Sequence, residues 1–347
     1  MLKEPLLNYN LAQMKEIVLG LGDKKFRAMQ IFDCLLKGKD LKNSNIPKAL
    51  VQKLAEKYEI EPVKIVEEIK SKDGDVSKFL FELADGEIVE GVLMKYKYGN
   101  SFCLSTQVGC RMNCAFCASG LCGLKRNLYA GEMLGIIAKI NAMGDGERNV
   151  TNIVLMGSGE PLDNFDEVCL FLKLITSSEG LNFSSRCISL STCGLCDKIR
   201  MLPDCAPPVT LSISLHASND EARKKIMPIA NRWSLKELID SAKYYFDKTG
   251  RRIAFEYALI KGVNDSDKNV KELAALLKDV CCFVNVIALN PVKERNLIGK
   301  TRQETYEFVQ KLKKAGLMAT LRRTLGNDIE GACGQLRNKR LSEKKEK

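Results

Sequence analysis

The sequence predicts an α/β protein built as a partial (βα)6 barrel, with a small helical N-terminal domain and a β-hairpin extension. Helical periodicity fills residues 1–60, two β-rich runs meet at a turn signal within residues 61–100, and strands alternate with helices from residue 101 onward. Such alternation predicts a parallel sheet. Six or seven units favour a curved partial barrel, and an open doubly wound sheet is the alternative.

Three helices are predicted in the N-terminal 60 residues. The runs "LAQMKEIVLGLG" and "FRAMQIFDCLLKG" carry apolar residues at helical spacing and end in glycine, a usual helix stop. The run "NIPKALVQKLAEKY" has a proline near its first turn. We expect an accessory domain here that takes part in RNA docking if the protein binds nucleic acid.

The run "VSKFLFELADGEIVEGVLMKY" predicts the hairpin, because two β-rich segments flank the turn signal "ADGE". Glu90 falls on its second strand.

The barrel is predicted over residues 101–326, followed by a C-terminal segment, 327–347, with a basic tail. Its strand-like runs are "SFCLSTQV", "NIVLM", "RCISLST", "VTLSISLH", "RRIAFEYALI", "FVNVIAL" and "MATLRRTL". Helical patterns such as "GEMLGIIAKINAMG", "SLKELIDSAKYYFDKTG" and "TRQETYEFVQKLKKAG" lie between most of them. Ligands of α/β proteins gather at the C-terminal ends of the strands, so functional residues are expected just after each strand.

Composition narrows the class of protein. The 347 residues are 45% hydrophobic and contain no long apolar run, which predicts a globular protein without a membrane span. The N-terminus lacks a signal-peptide core, so we expect a cytoplasmic protein. Because the cytoplasm keeps thiols reduced, the fourteen cysteines favour metal binding or catalysis over a disulfide framework. The net charge of +11 favours a polyanionic partner such as nucleic acid.

Cys110, Cys114 and Cys117 form a C-x3-C-x2-C loop after the first barrel strand. Thiolates bind soft metals, and three of them can hold three irons of a [4Fe–4S] cluster while the fourth iron stays open. Zinc is the alternative, because Cys193 and Cys196 in "CGLC" could join Cys114 and Cys117 to give its usual set of four ligands.

Further candidate residues follow the other strands. In "MGSGEPLDN", Gly157 and Gly159 permit close approach of the backbone to a ligand, and Glu160 places a carboxylate beside it. The candidates at the later strand ends are Ser191, Ser214, Leu215, His216 and Asn290.

The cysteine loop, with Phe116 before its last cysteine, resembles that of the radical S-adenosylmethionine (SAM) enzymes. The further motifs "VEGVLMKY", "GLKRNL", "ISLSTCGL", "SLHA", "GVND", "LNP" and "DIEGACGQL" extend the resemblance to the RlmN/Cfr family of RNA methyltransferases, over residues 76 to 337. Ser158, where a methionine is common, is a departure, and Cys193 and Cys196 are not part of the pattern.

This resemblance implies the cofactors and their ligands. A [4Fe–4S] cluster on the three cysteines would bind SAM, of which two molecules are used per turnover. The implied SAM-binding residues are Gly159, Glu160, Ser191, Ser214, Leu215, His216 and Asn290.

The resemblance also implies the reaction, methylation of adenosine carbon 2. Cys333 would carry the methyl group as S-methylcysteine, and its methylene radical would add to carbon 2. Glu90 would accept the carbon-2 proton. Cys103 would resolve the adduct by forming a disulfide with Cys333.

The implied partners are 23S rRNA, tRNA with the target adenosine next to the anticodon, and an electron donor such as flavodoxin; we expect a monomer. The basic residues proposed to bind RNA phosphates are Lys125, Arg126, Arg322 and Arg323. One alternative is a Cfr-type enzyme that methylates carbon 8, which "GEPLDN" disfavours. Another is a non-catalytic RNA-binding protein stabilised by a metal.

Overall fold

The computed structural model describes residues 2–144, 148–323, 325–331 and 335. Its helices are α1 (Leu11–Gly20), α2 (Phe26–Leu36), α3 (Lys48–Lys57), α4 (Ala130–Asn141), α5 (Phe165–Thr176), α6 (Cys196–Cys205), α7 (Asp220–Ile226), α8 (Leu235–Thr249), α9 (Asp267–Leu277) and α10 (Arg302–Lys314). Its strands are β1 (Val63–Lys70), β2 (Val76–Leu83), β3 (Ile88–Tyr96), β4 (Gly99–Cys103), β5 (Gln107–Gly109), β6 (Leu124–Asn127), β7 (Asn152–Leu155), β8 (Ile188–Thr192), β9 (Thr210–Ser214), β10 (Ile253–Leu259), β11 (Cys282–Ala288) and β12 (Ala319–Leu321).

Ten strands of the described chain form one sheet in the order β1-β2-β3-β4-β7-β8-β9-β10-β11-β12. Strands β1 to β4 pair in antiparallel fashion, and β4 and β7 to β12 pair in parallel. Helices connect the successive parallel strands, as expected for βα units. The predicted partial barrel is confirmed, and the hairpin of β2 and β3 extends its sheet.

Several helices begin at a side-chain cap, and α8 ends at a glycine. Asn10 and Gln13 form a reciprocal capping box at the start of α1, and Ser234 and Glu237 do the same for α8. Helix α8 ends at Gly250, which has a left-handed φ of 64°. The three predicted N-terminal helices are confirmed, and their buried residues share one continuous hydrophobic core with the barrel.

The structure differs from the prediction at three strands: β1 and β6 were not predicted, and β5 comes from a predicted run that is divided in two. The segment "VKIVEEIK" forms β1. It was not predicted because half of its residues are charged, and Val63 is the only one of the eight that is buried. The run "SFCLSTQV" forms two strands, since the chain leaves the large sheet after Cys103 and β5 pairs with β6 in a separate ribbon. The N–H of Thr106 donates to the carbonyl of Ser158, which draws this segment over the loop after β7.

No helix in the described ranges is long and apolar enough to cross a membrane.

Candidate active site

Cys110, Cys114 and Cys117 line one cavity at the C-terminal ends of the parallel strands. Their loop starts at Gly109, whose φ of 81° and missing side chain let the carbonyl of Gly123 come close. The N–H of Cys110 donates to that carbonyl over 3.0 Å. A β-carbon at position 109 would lie 1.9 Å from the Gly123 oxygen, so the loop geometry requires glycine there.

The environment of these thiols fits an iron–sulfur cluster. Burial raises the pKa of Cys110 to about 12. Burial, followed by repulsion from Cys117 and Cys110, raises the pKa of Cys114 well above its usual range. Burial and mutual repulsion therefore disfavour the negatively charged thiolate forms of these cysteines. A bound cationic cluster would compensate the thiolate charges, since metal-bound cysteines are thiolates. In the described ranges, no three Cys, His, Asp or Glu side chains converge on a single metal ion. An iron–sulfur cluster does not require such convergence, because each cysteine ligand binds a different iron atom.

The loop after β7 is packed tightly against the segment that follows β4. A β-carbon on Gly157 would lie 2.6 Å from the backbone nitrogen of Ser105, and one on Gly159 would lie 2.7 Å from Cβ of Gln107. Both glycines are therefore required so that the loop after β7 can pack closely against residues 105–107. The sequence had suggested a different reason, close approach of the backbone to a ligand. Gly159 also has a φ of 109°.

Glu160 is buried at the base of the cavity and is hydrogen-bonded to two loops. Its carboxylate accepts hydrogen bonds from the N–H groups of Leu162, at 3.0 Å, and Cys193, at 2.7 Å. Burial raises the pKa of Glu160, and these donors oppose the rise. The carboxylate therefore joins the loop after β7 to the loop after β8.

His216 follows β9 in a left-handed conformation with a φ of 53°. Its Nδ1 accepts a 2.9 Å hydrogen bond from the N–H of Ala258, which places the ring proton on Nε2. Burial, and secondarily the charge of Arg223, lowers the pKa of His216 to about 3. The ring packs edge-on against Phe116 at 4.4 Å between centroids. His216 is thus a neutral hydrogen-bond donor in the cavity wall.

The other predicted SAM residues divide into two groups. Ser191, Ser214 and Asn290 line the cavity together with His216. Leu215 is fully buried, and its N–H donates to the carbonyl of Glu256 on β10. The structure therefore gives Leu215 a place in the barrel wall, where its backbone holds the strand end.

Arg223 is a fully buried residue behind this wall that the sequence analysis did not identify. Its guanidinium donates to the carbonyls of Cys193, Ser214 and Leu215 at 2.7 to 3.3 Å. Its buried Nη1 has no hydrogen-bond partner within the described residues. Arg223 therefore connects the ends of β8 and β9. In the sequence it is one of several charged residues in "DEARKKI", so no local pattern marked it.

Glu256 is the second residue that was missed. It is buried on β10, where it accepts hydrogen bonds from Ser212 and Asn285 and pairs with Arg322 at 3.2 Å. Glu256 and Arg322 line both the cysteine cavity and a second cavity, whose lining includes the exposed residues Tyr98 and Arg323. A single glutamate inside the apolar run "IAFEYAL" was the available signal.

Glu90 and Cys103 lie on one face of the antiparallel part of the sheet. Lys78 and Cys103 both pair with Val92 in register, and Glu90 stands two residues before Val92, so all four side chains project to the same side. Nζ of Lys78 lies 2.8 Å from Oε1 of Glu90, and both side chains are almost completely buried. In the described structure, Glu90 and Cys103 are outside the walls of the cysteine cavity.

Ser105 connects this face to the loop after β7. Its hydroxyl donates to the carbonyl of Glu90 at 2.6 Å and accepts from the N–H of Ser158 at 2.9 Å.

The segment 325–331 packs on the same face. Leu325 and Ile329 contact the apolar cluster of Val76 and Val92. The side chain of Asp328 accepts a 3.0 Å hydrogen bond from the N–H of Lys72. Farther along, Nε2 of Gln335 donates to the carbonyl of Pro291 at 3.2 Å. Cys333, the predicted methyl carrier, lies outside the described residues.

Three of the four basic residues proposed to bind RNA are occupied in ion pairs. Lys125 pairs with Glu87 at 2.8 Å, Arg126 bonds Asp85 and Glu132, and Arg322 pairs with Glu256. Neighbouring carboxylates neutralise these charges, which the sequence did not reveal. Arg323 is exposed.

Comparison with known proteins agrees with this geometry. The profile described as "Radical SAM superfamily" matches residues 104–277. A "Probable dual-specificity RNA methyltransferase RlmN" from Clostridium perfringens (strain SM101 / Type A) is 49% identical over 343 residues, which cover 98% of each chain. The protein of the same description from Alkaliphilus oremlandii is 50% identical over 341 residues, 98% of this chain and 99% of its own.

Among solved structures, a radical SAM methyltransferase from Sphaerobacter thermophilus has a similar fold, with a TM-score of 0.90. It is 39% identical in sequence, and the match covers 96% of this chain and 99% of that one.

Proposed function

The chain belongs to the RlmN-type dual-specificity RNA methyltransferases of the radical SAM superfamily, and from this premise we propose that it methylates carbon 2 of adenosine in 23S rRNA and in tRNA next to the anticodon. We further propose that the methyl group passes through Cys333 as S-methylcysteine, with a transient disulfide between Cys103 and Cys333.

The chemistry of carbon 2 explains why two cysteines beyond the cluster are needed. This carbon lies between two ring nitrogens and is electron-poor, so it does not attack the methyl group of SAM as a nucleophile. A thiol that carries the methyl group removes this difficulty, because a carbon radical formed on the carrier can add to the ring. The ring proton must then leave, and the carrier sulfur must be released.

The proposal is carried by the face shared by Glu90, Cys103 and the segment 325–331. A carboxylate and a thiol project from adjacent strands on the side where this segment packs. Cys333 follows Gly331 by two positions in the sequence, and Gln335 just beyond it is anchored at Pro291. This arrangement supports Glu90 as proton acceptor and Cys103 as the thiol that attacks the carrier sulfur.

The cofactors fit the cysteine cavity. Cys110, Cys114 and Cys117 would hold the [4Fe–4S] cluster, which would supply the electron for reductive cleavage of SAM. Two SAM molecules would be used per turnover, one to load Cys333 and one for the radical. For SAM itself, the neutral imidazole of His216 offers an Nε2–H donor, Ser191 and Ser214 offer hydroxyls, and Asn290 offers an amide.

The RNA substrate must present an unstacked adenine, because a base inside a duplex cannot reach a recessed site. We propose that the helices of residues 1–60 assist RNA docking. We also propose that the protein works as a cytoplasmic monomer with a flavodoxin-type electron donor, and that residues 101–326 form the catalytic core.

The deciding experiment is mass spectrometry of nucleosides from 23S rRNA and tRNA treated with the anaerobically purified protein and SAM. The expected product is 2-methyladenosine in both RNAs. A product of 8-methyladenosine alone would contradict the proposal and favour a Cfr-type enzyme. Absence of methylated product with a loaded cluster and a competent reductant would favour a non-catalytic RNA-binding role.

A further inference from the structure

The ion pair between Lys78 and Glu90 joins neighbouring strands at the center of the proposed proton-transfer site. Leu80 is the residue opposite Glu90, so Lys78 reaches the carboxylate diagonally across the β2–β3 pair. The exposed fractions are 4% for the Lys78 side chain and 3% for that of Glu90. Removing two charges from water is costly, and such a pair is a weak source of stability. A role in function gives a reason for its presence.

Lys78 has a second contact, with the segment that leads to Cys333. Its Nζ lies 3.4 Å from the carbonyl oxygen of Glu330. An ammonium group has three N–H donors and can therefore serve the carboxylate and this carbonyl together. Lys78 is thus a direct link between the proposed proton acceptor and the main chain three positions before Cys333.

The conformation of segment 325–331 depends on contacts such as this one with Lys78. Glu330 has a left-handed φ of 50°, an unfavourable conformation for a glutamate. The N–H of Gly331 donates to the carbonyl of Gly326 at 2.8 Å, which closes a tight loop. A β-carbon on Gly326 would lie 3.0 Å from Cγ1 of Val76, so the loop sits directly on β2.

We propose that Lys78 is a positioning residue for the proton-transfer step, which fixes the Glu90 carboxylate relative to the main chain at Glu330, three positions before Cys333 in the sequence. In this step the proton on adenine carbon 2 passes to a Glu90 oxygen, and the electron pair of the C–H bond stays with the ring. Lys78 contacts Oε1 of Glu90 but neither the adenine nor the methyl carrier, and it acts by orienting the carboxylate. The inference rests on the proposed function and names a residue that the family resemblance did not.

The test separates proton transfer from the steps before it. When the proton is not removed, RNA stays joined to Cys333 through the methylene carbon, and the adduct is visible as a shifted band on a denaturing gel. Protein loaded with S-methylcysteine, verified from the mass of the Cys333 peptide, is mixed with RNA, SAM and reductant for one turnover. The ratio of adduct to released methylated RNA is then measured.

Lys78→Met is expected to raise the adduct-to-product ratio about 10-fold. This change is smaller than the roughly 100-fold or greater effect of losing the general base itself, because Glu90 is still present. Lys78→Arg, which keeps the charge but places its donors differently, is expected to raise it about 3-fold. Lys95→Met, on an exposed residue of β3, is the matched control and should leave the ratio unchanged. Cluster absorbance verifies folding, and if Lys78→Met does not fold, Lys78→Arg decides.

A merely structural role would lower adduct and product together and leave their ratio at the wild-type value, which would overturn the inference. Glu90→Gln tests the underlying function separately, because it should trap the adduct whatever Lys78 does. If Glu90→Gln traps adduct and the Lys78 variants do not, Lys78 has no positioning role and the proposed function stands. If Glu90→Gln traps no adduct, the assigned role of Glu90 is wrong and the inference falls with it.

Discussion

The carboxylate of Glu160 accepts a 2.7 Å hydrogen bond from the backbone N–H of Cys193, which ties together two loops at the base of the candidate active site. Replacing Glu160 by Ala leaves the N–H groups of Cys193 and Leu162 without their acceptor. Each unpaired buried donor costs about 1–3 kcal/mol. We expect a lower free energy of unfolding in urea and weaker SAM binding in equilibrium dialysis. Glu221→Ala, on the exposed side of α7, is the control; equal values for both variants would contradict this role.

Replacement of Cys110, Cys114 or Cys117 by Ala should remove the cluster, because each thiolate would hold one iron atom. The measurement is iron and sulfide content after anaerobic purification, with the visible absorbance. Cys122→Ser is a matched control, since Cys122 is an exposed cysteine of the same region. Full iron content in the three Ala variants, or loss of iron in the control, would count against this assignment.

Cys103 and Cys333 should have separable effects on the reaction. Cys333→Ala should abolish methylation and leave the cluster intact. Cys103→Ala should trap RNA covalently on the protein, because no thiol remains to attack the carrier sulfur. A denaturing gel detects the trapped species, and Cys187→Ala, remote in sequence from both, serves as the control. Product release by Cys103→Ala at the wild-type rate would remove Cys103 from its role.

His216 should make the apoprotein sensitive to acid. Its pKa is about 3 when folded against 6.5 ordinarily, so between these values the unfolded chain binds a proton that the folded chain does not. Stability from the neutral ring is therefore present above pH 6.5 and is lost as the pH falls, by about 2 kcal/mol at pH 5.

Urea unfolding at pH 7 and pH 5 measures this loss. His216→Asn is the comparison, because asparagine tolerates the left-handed backbone and keeps an acceptor near Ala258. His216 is the only histidine of the chain, and the buried carboxyls are common to both proteins. The same pH dependence in the variant would show that His216 is not the cause.

The sequence predicted the elements whose pattern is local. The N-terminal helices, the β2–β3 hairpin and the parallel strands followed from periodicity and turn signals. Strand β1 escaped because an exposed edge strand such as "VKIVEEIK" has little apolar alternation. The break after Cys103 escaped because it depends on the pairing of Thr106 with Ser158, far along the chain.

The residues of the candidate site also divide into those with a local sequence signal and those placed by tertiary packing. Motifs pointed to the cysteine loop and to the polar strand ends, which the structure brings around one cavity. Lys78, Arg223 and Glu256 were missed because a charged residue in a sequence is expected at the surface. Their burial results from tertiary packing, and their partners are distant in sequence. Arg322 was assigned to RNA for the same reason.

The packing of segment 325–331 against Val76 and Val92 has a consequence for biosynthesis. The ribosome makes this segment after every strand of the barrel, so a nascent or prematurely terminated chain can complete the cysteine loop before Leu325 and Ile329 are there to cover the two valines. The uncovered valines of such a chain would offer the cell's proteases and chaperones a means to recognise and remove the unfinished protein.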